Sequence, residues 1–341
     1  MLPKFPGEPP RDLSRPLERI KVRIDARLDG QRLDVALATV LEWRSRNSIH
    51  RLIADGYVDL EGRRPVRSRR VRTGDTITIT VPPTTLVGPD PGAGVDFDIL
   101  YEDQWVVVVD KPAGLAVHPA GRRLTGTLIQ AIHRRYPQVD GPGRFPPRLL
   151  HRLDVETSGV LAIGLDEEFH HLVARQFEDR RVSKTYLAVA HGRPDPEKGK
   201  IDLPIGPDKA SAVRLKQAIR EDGAGQSAVT RYEVLGGNDR YSLVELKPKT
   251  GRTHQLRVHM AAIGCHLVGD KIYGVDESIF LEKLAGELSD ASRDRLVLDR
   301  HALHASRLRF FHPMLDEEME FSAPLPRDME ALVGREASPQ R

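Results

Sequence analysis

The sequence predicts an α+β protein in which a small helix-helix-strand domain is joined to a larger domain with a mostly antiparallel mixed sheet. Strand-like and helix-like segments follow one another without the regular alternation that marks a doubly wound parallel sheet. A proline- and glycine-rich segment, PPTTLVGPDPGAG, separates two regions of different texture and places an interdomain linker at residues 84–97. No repeat with a period of about 20 to 50 residues is evident, which disfavours solenoids and propellers.

Composition indicates a folded protein without a strong overall charge. Hydrophobic residues make up 39% and charged residues 30% of the 341 residues, which is enough to form a core. The formal net charge is only +3, from 52 Lys and Arg against 49 Asp and Glu. Attraction to a polyanion must therefore come from local clustering of charge.

Cysteine usage and hydropathy exclude several classes of protein. The single cysteine, Cys265, excludes a disulfide within the chain and a zinc site built from its own thiolates, and it suits a reducing cytoplasm. No stretch approaches about 18 consecutive apolar residues, so we expect no membrane span. The 13 histidines lack HExxH or comparable ligand spacing, so we predict no metal site.

The first folded region begins after a proline-rich segment, residues 1–20, which we expect to be a flexible tail. Apolar residues at helical spacing predict one helix near residues 31–41, and a second is predicted from Ser45, its N-cap, to Asp55. The segments YVDLEG and TITITV then alternate as strands do. This order predicts a small helix-helix-strand domain over residues 21–83.

Arginine is concentrated in this region. Nine arginines lie between Arg44 and Arg72 against three acidic residues and no lysine, a local excess that is larger than the net charge of the whole chain. A solvated surface is the plain alternative, but planar guanidinium groups favour phosphate contacts. We therefore predict RNA or DNA binding through the arginines of this cluster, namely Arg46, Arg51, Arg67, Arg69 and Arg70.

The same region resembles a known module. The segments RLDVALA, LIADGYVDLEG and VRTGDTITI are similar to the small RNA-binding module named after ribosomal protein S-four. The resemblance implies an RNA partner. It favours large-subunit ribosomal RNA over transfer RNA.

The larger region, residues 98–330, contains strand-like WVVVVD, VLAIG, TYLAVAHG, YSLVELKP and RLRFF. Helical periodicity is evident near Leu124–Tyr136, and acidic residues precede a predicted helix at Phe169–Phe177. The segment GRTHQLRVHM is basic and is not assigned to an element. Residues 331–341 are expected to be a flexible C-terminus.

Within this region the segment HRLDVETSG carries a cation and a carboxylate two positions apart. If the segment is extended, Arg152 and Asp154 project from one face, and a turn is predicted through Ser158 and Gly159. An isolated pair of this kind is most often an ordinary surface ion pair. Its chemical meaning depends on the neighbouring segments.

Four segments together, KPAG, HRLD, KTYLAVAHG and TGRTHQLRVHM, resemble the RluA-type family of uridine-to-pseudouridine synthases over about residues 98–330. The resemblance implies that Asp154 is the catalytic residue, joined by Tyr186 and Arg257. It also implies that Arg152 fills the gap left when the target base leaves its stack. His151, Lys184 and Arg252 are further candidates for substrate contacts.

The reaction that the resemblance implies is consistent with the residues. Isomerising uridine breaks and remakes a bond from ribose to the ring without redox change, so no cofactor and no metal are expected. The target base must be everted, because a stacked uridine hides its glycosidic bond. We expect Arg257 to orient Asp154 through two parallel hydrogen bonds, a task for which a lysine lacks the fork.

Two alternatives stay open at this point. A non-catalytic RNA-binding or ribosome-assembly protein could retain a synthase scaffold. A glycoside hydrolase or nucleosidase would need a second carboxylate beside Asp154, for which Glu156 is the nearest candidate. An acidic insertion near residues 275–300 could alter the rim of the site. Otherwise we expect a cytoplasmic monomer that acts on RNA.

Overall fold

The computed structural model describes residues 19–40, 46–80, 92, 94–119, 125–137, 145–286 and 288–334. The side chains of residues 19, 20, 46–48 and 51 lie outside this description. Most of the predicted tail and linker, Ser45, and residues 335–341 of the predicted C-terminus also lie outside it. The chain divides into two compact units.

Unit 1 comprises residues 1–95 and 116–147, and unit 2 comprises residues 96–115 and 148–341. The predicted range 98–330 contains residues 116–147, which belong to unit 1. The domain boundaries themselves stay a prediction.

Unit 1 contains a three-stranded antiparallel sheet and three helices among its described residues. The elements are β1 (Arg19–Arg23), α1 (Leu33–Val40), α2 (Arg46–Ala54), β2 (Val58–Leu60), β3 (Thr76–Thr80) and α3 (Leu128–Arg135). Strand β3 lies between β1 and β2. Strand β1 begins at Arg19, so the last two residues of the predicted tail belong to the sheet.

The core of the sheet in unit 1 follows the sequence pattern. Ile77 and Ile79 of β3 are buried while its threonines are more exposed, because side chains alternate along a strand. Ile49 and Leu52 of α2 join the same core, as their helical spacing predicts. Helix α3 begins at Leu128, where a capping box formed by Thr127 and Gln130 fixes its first turn.

Unit 2 is built around one large sheet. Its elements are β4 (Asp98–Glu102), β5 (Val106–Lys111), β6 (Arg148–Leu149), β7 (Ser158–Gly164), α4 (Glu167–Glu178), β8 (Ser183–His191), β9 (Lys198–Asp202), β10 (Ile205–Pro207), β11 (Gln217–Ile219), β12 (Val229–Gly237), β13 (Tyr241–Pro248), α5 (Gln255–Ala262), α6 (Ser278–Ala285), α7 (Asp290–Leu296), β14 (Leu303–His312), β15 (Glu317–Ser322) and α8 (Arg327–Val333).

The large sheet is mixed and mostly antiparallel, which confirms the predicted fold class. Within the described residues it has ten strands, with the main order β4-β5-β7-β14-β8-β13-β12-β9, and β10 and β11 form a separate hairpin. The pair β7·β14 is parallel, whereas the other neighbours in this sheet run antiparallel. Strand β7 is buried along its whole length, which explains its continuous apolar sequence.

Local signals account for helix α4 but not for α5. Asp166 caps α4 by accepting a hydrogen bond from the backbone N–H of Phe169 at 2.8 Å, so the helix begins two residues before the predicted Phe169. Helix α5 begins in the segment GRTHQLRVHM, to which the sequence assigned no element. Its buried face includes Gln255, Arg257 and His259, and these polar residues conceal the amphipathic pattern.

The insertion predicted near residues 275–300 forms α6 and α7. None of the helices in the described part of the chain is long and apolar enough to cross a bilayer.

Candidate active site

Asp154 lies in a tight turn that leads into β7. The backbone N–H of Thr157 donates to the carbonyl of Asp154 at 3.2 Å, so the turn spans residues 154–157. The predicted turn through Ser158 and Gly159 is therefore wrong, because both residues already belong to β7. The Asp154 side chain is 28% exposed, so solvent or a ligand can reach its carboxylate.

Gly159 is required for close packing within the sheet. Its φ is +110°, and a Cβ built on it would lie 2.2 Å from the carbonyl oxygen of Ala305 in β14. Only a residue without a Cβ allows the parallel pairing of β7 with β14 at this point. The glycine thus fixes where the chain leaves the Asp154 turn.

The KPAG segment, residues 111–114, holds the same turn through hydrogen bonds to the backbone. Lys111 is fully buried, and its Nζ donates to the carbonyls of Pro112, Leu115 and Val155 at 2.8, 3.0 and 3.1 Å. The backbone N–H of Gly114 also donates to the carbonyl of Val155, at 2.8 Å. These bonds tie the residue that follows Asp154 to a buried ammonium group, which restricts movement of the turn.

Arg257 projects from α5 toward Asp154. Its Nη1 lies 3.4 Å from Asp154 Oδ2, a single long contact. The guanidinium fork instead engages Asp270, with Nε to Oδ2 at 2.7 Å and Nη2 to Oδ1 at 2.8 Å. The expected pair of parallel hydrogen bonds from Arg257 to Asp154 is therefore wrong, since Asp270 occupies both positions of the fork.

Asp270 is a site residue that the sequence did not reveal. It is 3% exposed and also accepts hydrogen bonds from the backbone N–H groups of Ile272 and Tyr273. Burial tends to raise its pKa, but the charge and hydrogen bonds of Arg257 outweigh burial and lower the pKa below its usual range. Burial likewise tends to lower the pKa of Arg257, and Asp270 reverses this.

Tyr186 lies on β8, next to Leu246 of β13 in the sheet. It is partly buried against the core that covers this face. Burial, followed by the negative charge of Asp154, raises the pKa of its hydroxyl, so Tyr186 stays protonated at neutral pH. Asp154 thus contacts Arg257 directly, and its charge acts on the Tyr186 hydroxyl.

Comparisons with known proteins identify the family of the chain. The chain matches the family model of RNA pseudouridylate synthases over residues 105–262. It is 36% identical over 320 residues to YlyB, an uncharacterised RNA pseudouridine synthase of Bacillus subtilis strain 168, and the match covers 93% of this chain and 98% of the relative. The chain belongs to the RNA pseudouridine synthase family. The resemblance indicated by the four sequence segments is confirmed.

Two further matches extend the comparison for this pseudouridine synthase. Ribosomal large subunit pseudouridine synthase D of Zymomonas mobilis is 34% identical over 316 residues, which cover 92% of this chain and 96% of the relative. The structure of human RNA pseudouridylate synthase domain containing 1 aligns with a TM-score of 0.55 and 29% identity, covering 73% of this chain and 91% of that chain.

His151 and Lys184 of this synthase both lie beside the ring of Phe177. The His151 ring stacks on Phe177 with centroids 5.2 Å apart, and its Nε2 accepts a hydrogen bond from the N–H of Ala162 at 3.2 Å. Burial, then the charge of Lys184, lowers the pKa of His151 to about 3, so its ring is neutral. The Lys184 ammonium lies 5.9 Å from the Phe177 centroid. Both side chains are engaged by the protein, and a role in substrate contacts stays a prediction.

Arg152 and Arg252 lie close in sequence to Asp154 and Arg257, respectively. Arg152 is exposed beside the Asp154 turn. The Nε of Arg252 donates to the carbonyl of Ser227 at 3.1 Å, and its backbone N–H donates to Gln255 Oε1 at 3.0 Å. Gln255 therefore holds the start of α5 to the loop that carries Arg252.

Glu156 does not form a carboxylate pair with Asp154. Its oxygens contact Lys271 at 2.9 and 3.1 Å and Lys283 at 3.0 Å, and one accepts from the backbone N–H of His301 at 3.2 Å. Burial tends to raise the pKa of Glu156, but His301 and Lys271 lower it overall, so Glu156 stays ionised. A hydrolase of the predicted two-carboxylate type needs a protonated acid, and Glu156 does not provide one.

The arginine cluster lies in unit 1. Arg67, Arg69 and Arg70 are exposed, and the carbonyl of Arg69 accepts a hydrogen bond from the N–H of Leu33 at 2.7 Å. This contact holds the arginine-rich segment beside the start of α1. Two more arginines of the cluster have side chains outside the described residues, namely Arg46 and Arg51.

No group of three or more His, Cys, Asp or Glu side chains within the described ranges has the proximity that a metal ion requires.

Proposed function

We propose that this enzyme converts specific uridines of large-subunit ribosomal RNA to pseudouridine, with Asp154 as the catalytic carboxylate. The observation that carries the proposal is the Arg257 guanidinium, which Asp270 holds through two bonds while its Nη1 approaches Asp154 at 3.4 Å. The relative from Zymomonas mobilis bears the name of a ribosomal large subunit enzyme, which supports the substrate class.

The proposed roles follow from exposure and charge. Asp154 is accessible enough to meet the everted nucleoside, and Arg257 balances its negative charge when uracil excludes water. Tyr186 offers a ring face and a neutral hydroxyl to the base. Arg152 is exposed next to the turn, so its planar group can fill the gap in the RNA and restore stacking.

RNA binding is proposed to involve unit 1 as well. The residues that resemble the S-four-type module include the exposed arginines 67, 69 and 70, and their guanidinium groups suit phosphate contacts. We also infer that the enzyme needs neither a metal nor an organic cofactor, because the isomerisation conserves every atom and involves no redox step. We further infer that it is a cytoplasmic monomer. Unchanged activity in excess EDTA and a single-chain mass in sedimentation are the expected results.

Chemical mapping of ribosomal RNA from a deletion strain tests the proposal. Carbodiimide mapping should lose one or a few pseudouridine signals, and the wild-type gene should restore them. Asp154→Asn should restore none while its protein still binds RNA, because the amide cannot act as the required anionic base or nucleophile. Asp179→Asn, which alters an exposed ion pair with Arg181, is the matched control and should restore every signal. An unchanged map in the deletion strain counts against the ribosomal substrate.

A further inference from the structure

His254 has an unusual backbone conformation at the entrance to α5. It is the N-cap of the helix, with φ 57° and ψ 15° in the left-handed region. Few residues other than glycine adopt this region, and where they do the conformation is often found at functional sites. The conformation brings His254 Nδ1 to 2.8 Å from the hydroxyl oxygen of Tyr273.

The hydrogen bonds of Tyr273 determine which nitrogen of His254 carries the proton. The backbone N–H of Gln217 donates to the Tyr273 oxygen at 2.8 Å, so the hydroxyl hydrogen must find another acceptor. Within the described part of the chain, His254 Nδ1 is the acceptor at hydrogen-bonding distance. We assign the donor role to Tyr273 and the ring proton to Nε2, because the described residues offer the hydroxyl hydrogen no acceptor other than Nδ1.

Electrostatics keep this ring uncharged. Burial, then the positive charge of Arg257, lowers the pKa of His254 to about 4, although Asp154 and Asp270 act in the opposite direction. Burial also raises the pKa of the Tyr273 hydroxyl, which keeps it a donor. At neutral pH His254 is therefore a neutral imidazole beside the charges of the site.

The Nε2–H group is available to a ligand. His254 is partly exposed, and across the described ranges no protein atom accepts a hydrogen bond from its Nε2. The Tyr273 ring that contacts His254 has its centroid 5.0 Å from the guanidinium carbon of Arg257, and Nη1 of Arg257 lies 3.4 Å from Asp154. A fixed donor without a protein acceptor thus lies near the carboxylate.

We propose that His254 donates its Nε2–H to a carbonyl oxygen of the target uracil. The inference rests on the proposed function and adds a substrate-contacting residue to it. A neutral donor suits a neutral carbonyl, since it holds the oxygen without fixing charge on the base, whereas the phosphates have the exposed cation Arg152 available. Because Tyr273 holds the ring from its other nitrogen, the donor has one direction, and the uracil is bound in one orientation relative to Asp154.

Two substitutions of His254 distinguish the loss of the hydrogen-bond donor from an effect of the backbone conformation. Asparagine tolerates the left-handed conformation, but its short amide does not reach as far as Nε2, so His254→Asn should lower kcat/KM by about tenfold to a hundredfold. Glutamine places an amide N–H at about the distance of Nε2, and His254→Gln should recover part of the loss. Thermal unfolding and RNA binding should change little in His254→Asn.

Modified RNA identifies the acceptor. The target uridine is replaced by 2-thiouridine or 4-thiouridine, because sulfur accepts hydrogen bonds weakly. Wild-type enzyme should lose kcat/KM on one of the two RNAs, whereas His254→Asn should show no additional loss on that RNA. Equal losses in wild type and variant on both RNAs, or a wild-type kcat/KM for His254→Asn, would overturn the inference.

The design also separates this inference from the proposed function. Wild-type enzyme is first assayed on ribosomal RNA transcripts and on total RNA. Failure to modify ribosomal RNA counts against the proposed substrate. The His254 comparison is then made on whichever RNA the wild-type enzyme does modify, and there it counts for or against the donor alone.

Discussion

Replacing Asp270 by asparagine tests the pair that orients Arg257. The two groups are 3% and 5% exposed and share bonds of 2.7 and 2.8 Å. Removing one charge from a buried pair leaves the other without compensation, which costs about 3 to 5 kcal/mol. Asp270→Asn should therefore lower the free energy of unfolding by about this amount at pH 7.

The pH dependence of stability provides a second test of the Asp270–Arg257 pair, with a defined direction. The pKa of Asp270 is lowered from its ordinary value of 3.8, so its contribution to stability is fully present above that value. The contribution is lost as the pH falls through the lower pKa of the folded state. Between pH 5 and the acid limit, taken as about pH 2, wild type should therefore lose stability more steeply than Asp270→Asn.

Urea unfolding followed by circular dichroism measures both effects, with kcat recorded on the same samples. Loss of the Asp270 anchor should let Arg257 move, and a displacement of about 1 Å can lower the rate about a hundredfold. Asp179→Asn removes an exposed carboxylate and should change stability by less than about 0.5 kcal/mol. If Asp270→Asn is as stable as this control and has wild-type kcat, the reasoning about the buried pair is wrong.

Two other predictions concern the sheet and the arginine cluster. Gly159→Ala should destabilise the protein by at least about 2 kcal/mol, because its Cβ would overlap the carbonyl of Ala305; Gly192→Ala, with φ +70° and open space, is the control in thermal unfolding. A comparable loss in both variants would assign the cost to φ alone. Neutralising the exposed Arg67, Arg69 and Arg70 should reduce the slope of log K for RNA binding against log salt concentration by about two, as measured by filter binding. An unchanged slope would mean that these arginines only form a solvated surface.

Much of the fold follows from local pattern. The alternation of TITIT and the spacing of Ile49 and Leu52 predicted β3 and the buried face of α2, since each pattern reflects one side facing a core. The four motif segments indicated the family and named Asp154, Tyr186 and Arg257. Helix α5 was not predicted, because its buried polar residues have partners elsewhere in the chain rather than an apolar pattern of their own.

The sequence by itself determined the class of elements and the candidate residues, because these depend on short-range periodicity and on motif resemblance. Only the tertiary structure decided which charges meet. Arg257 pairs with Asp270, which is 13 residues away in the sequence. Glu156 pairs with Lys271 and Lys283, which are 115 and 127 residues away. Pairing at such separations is decided by how the loops and helices pack around the sheet, and one-dimensional spacing carries no information about that packing.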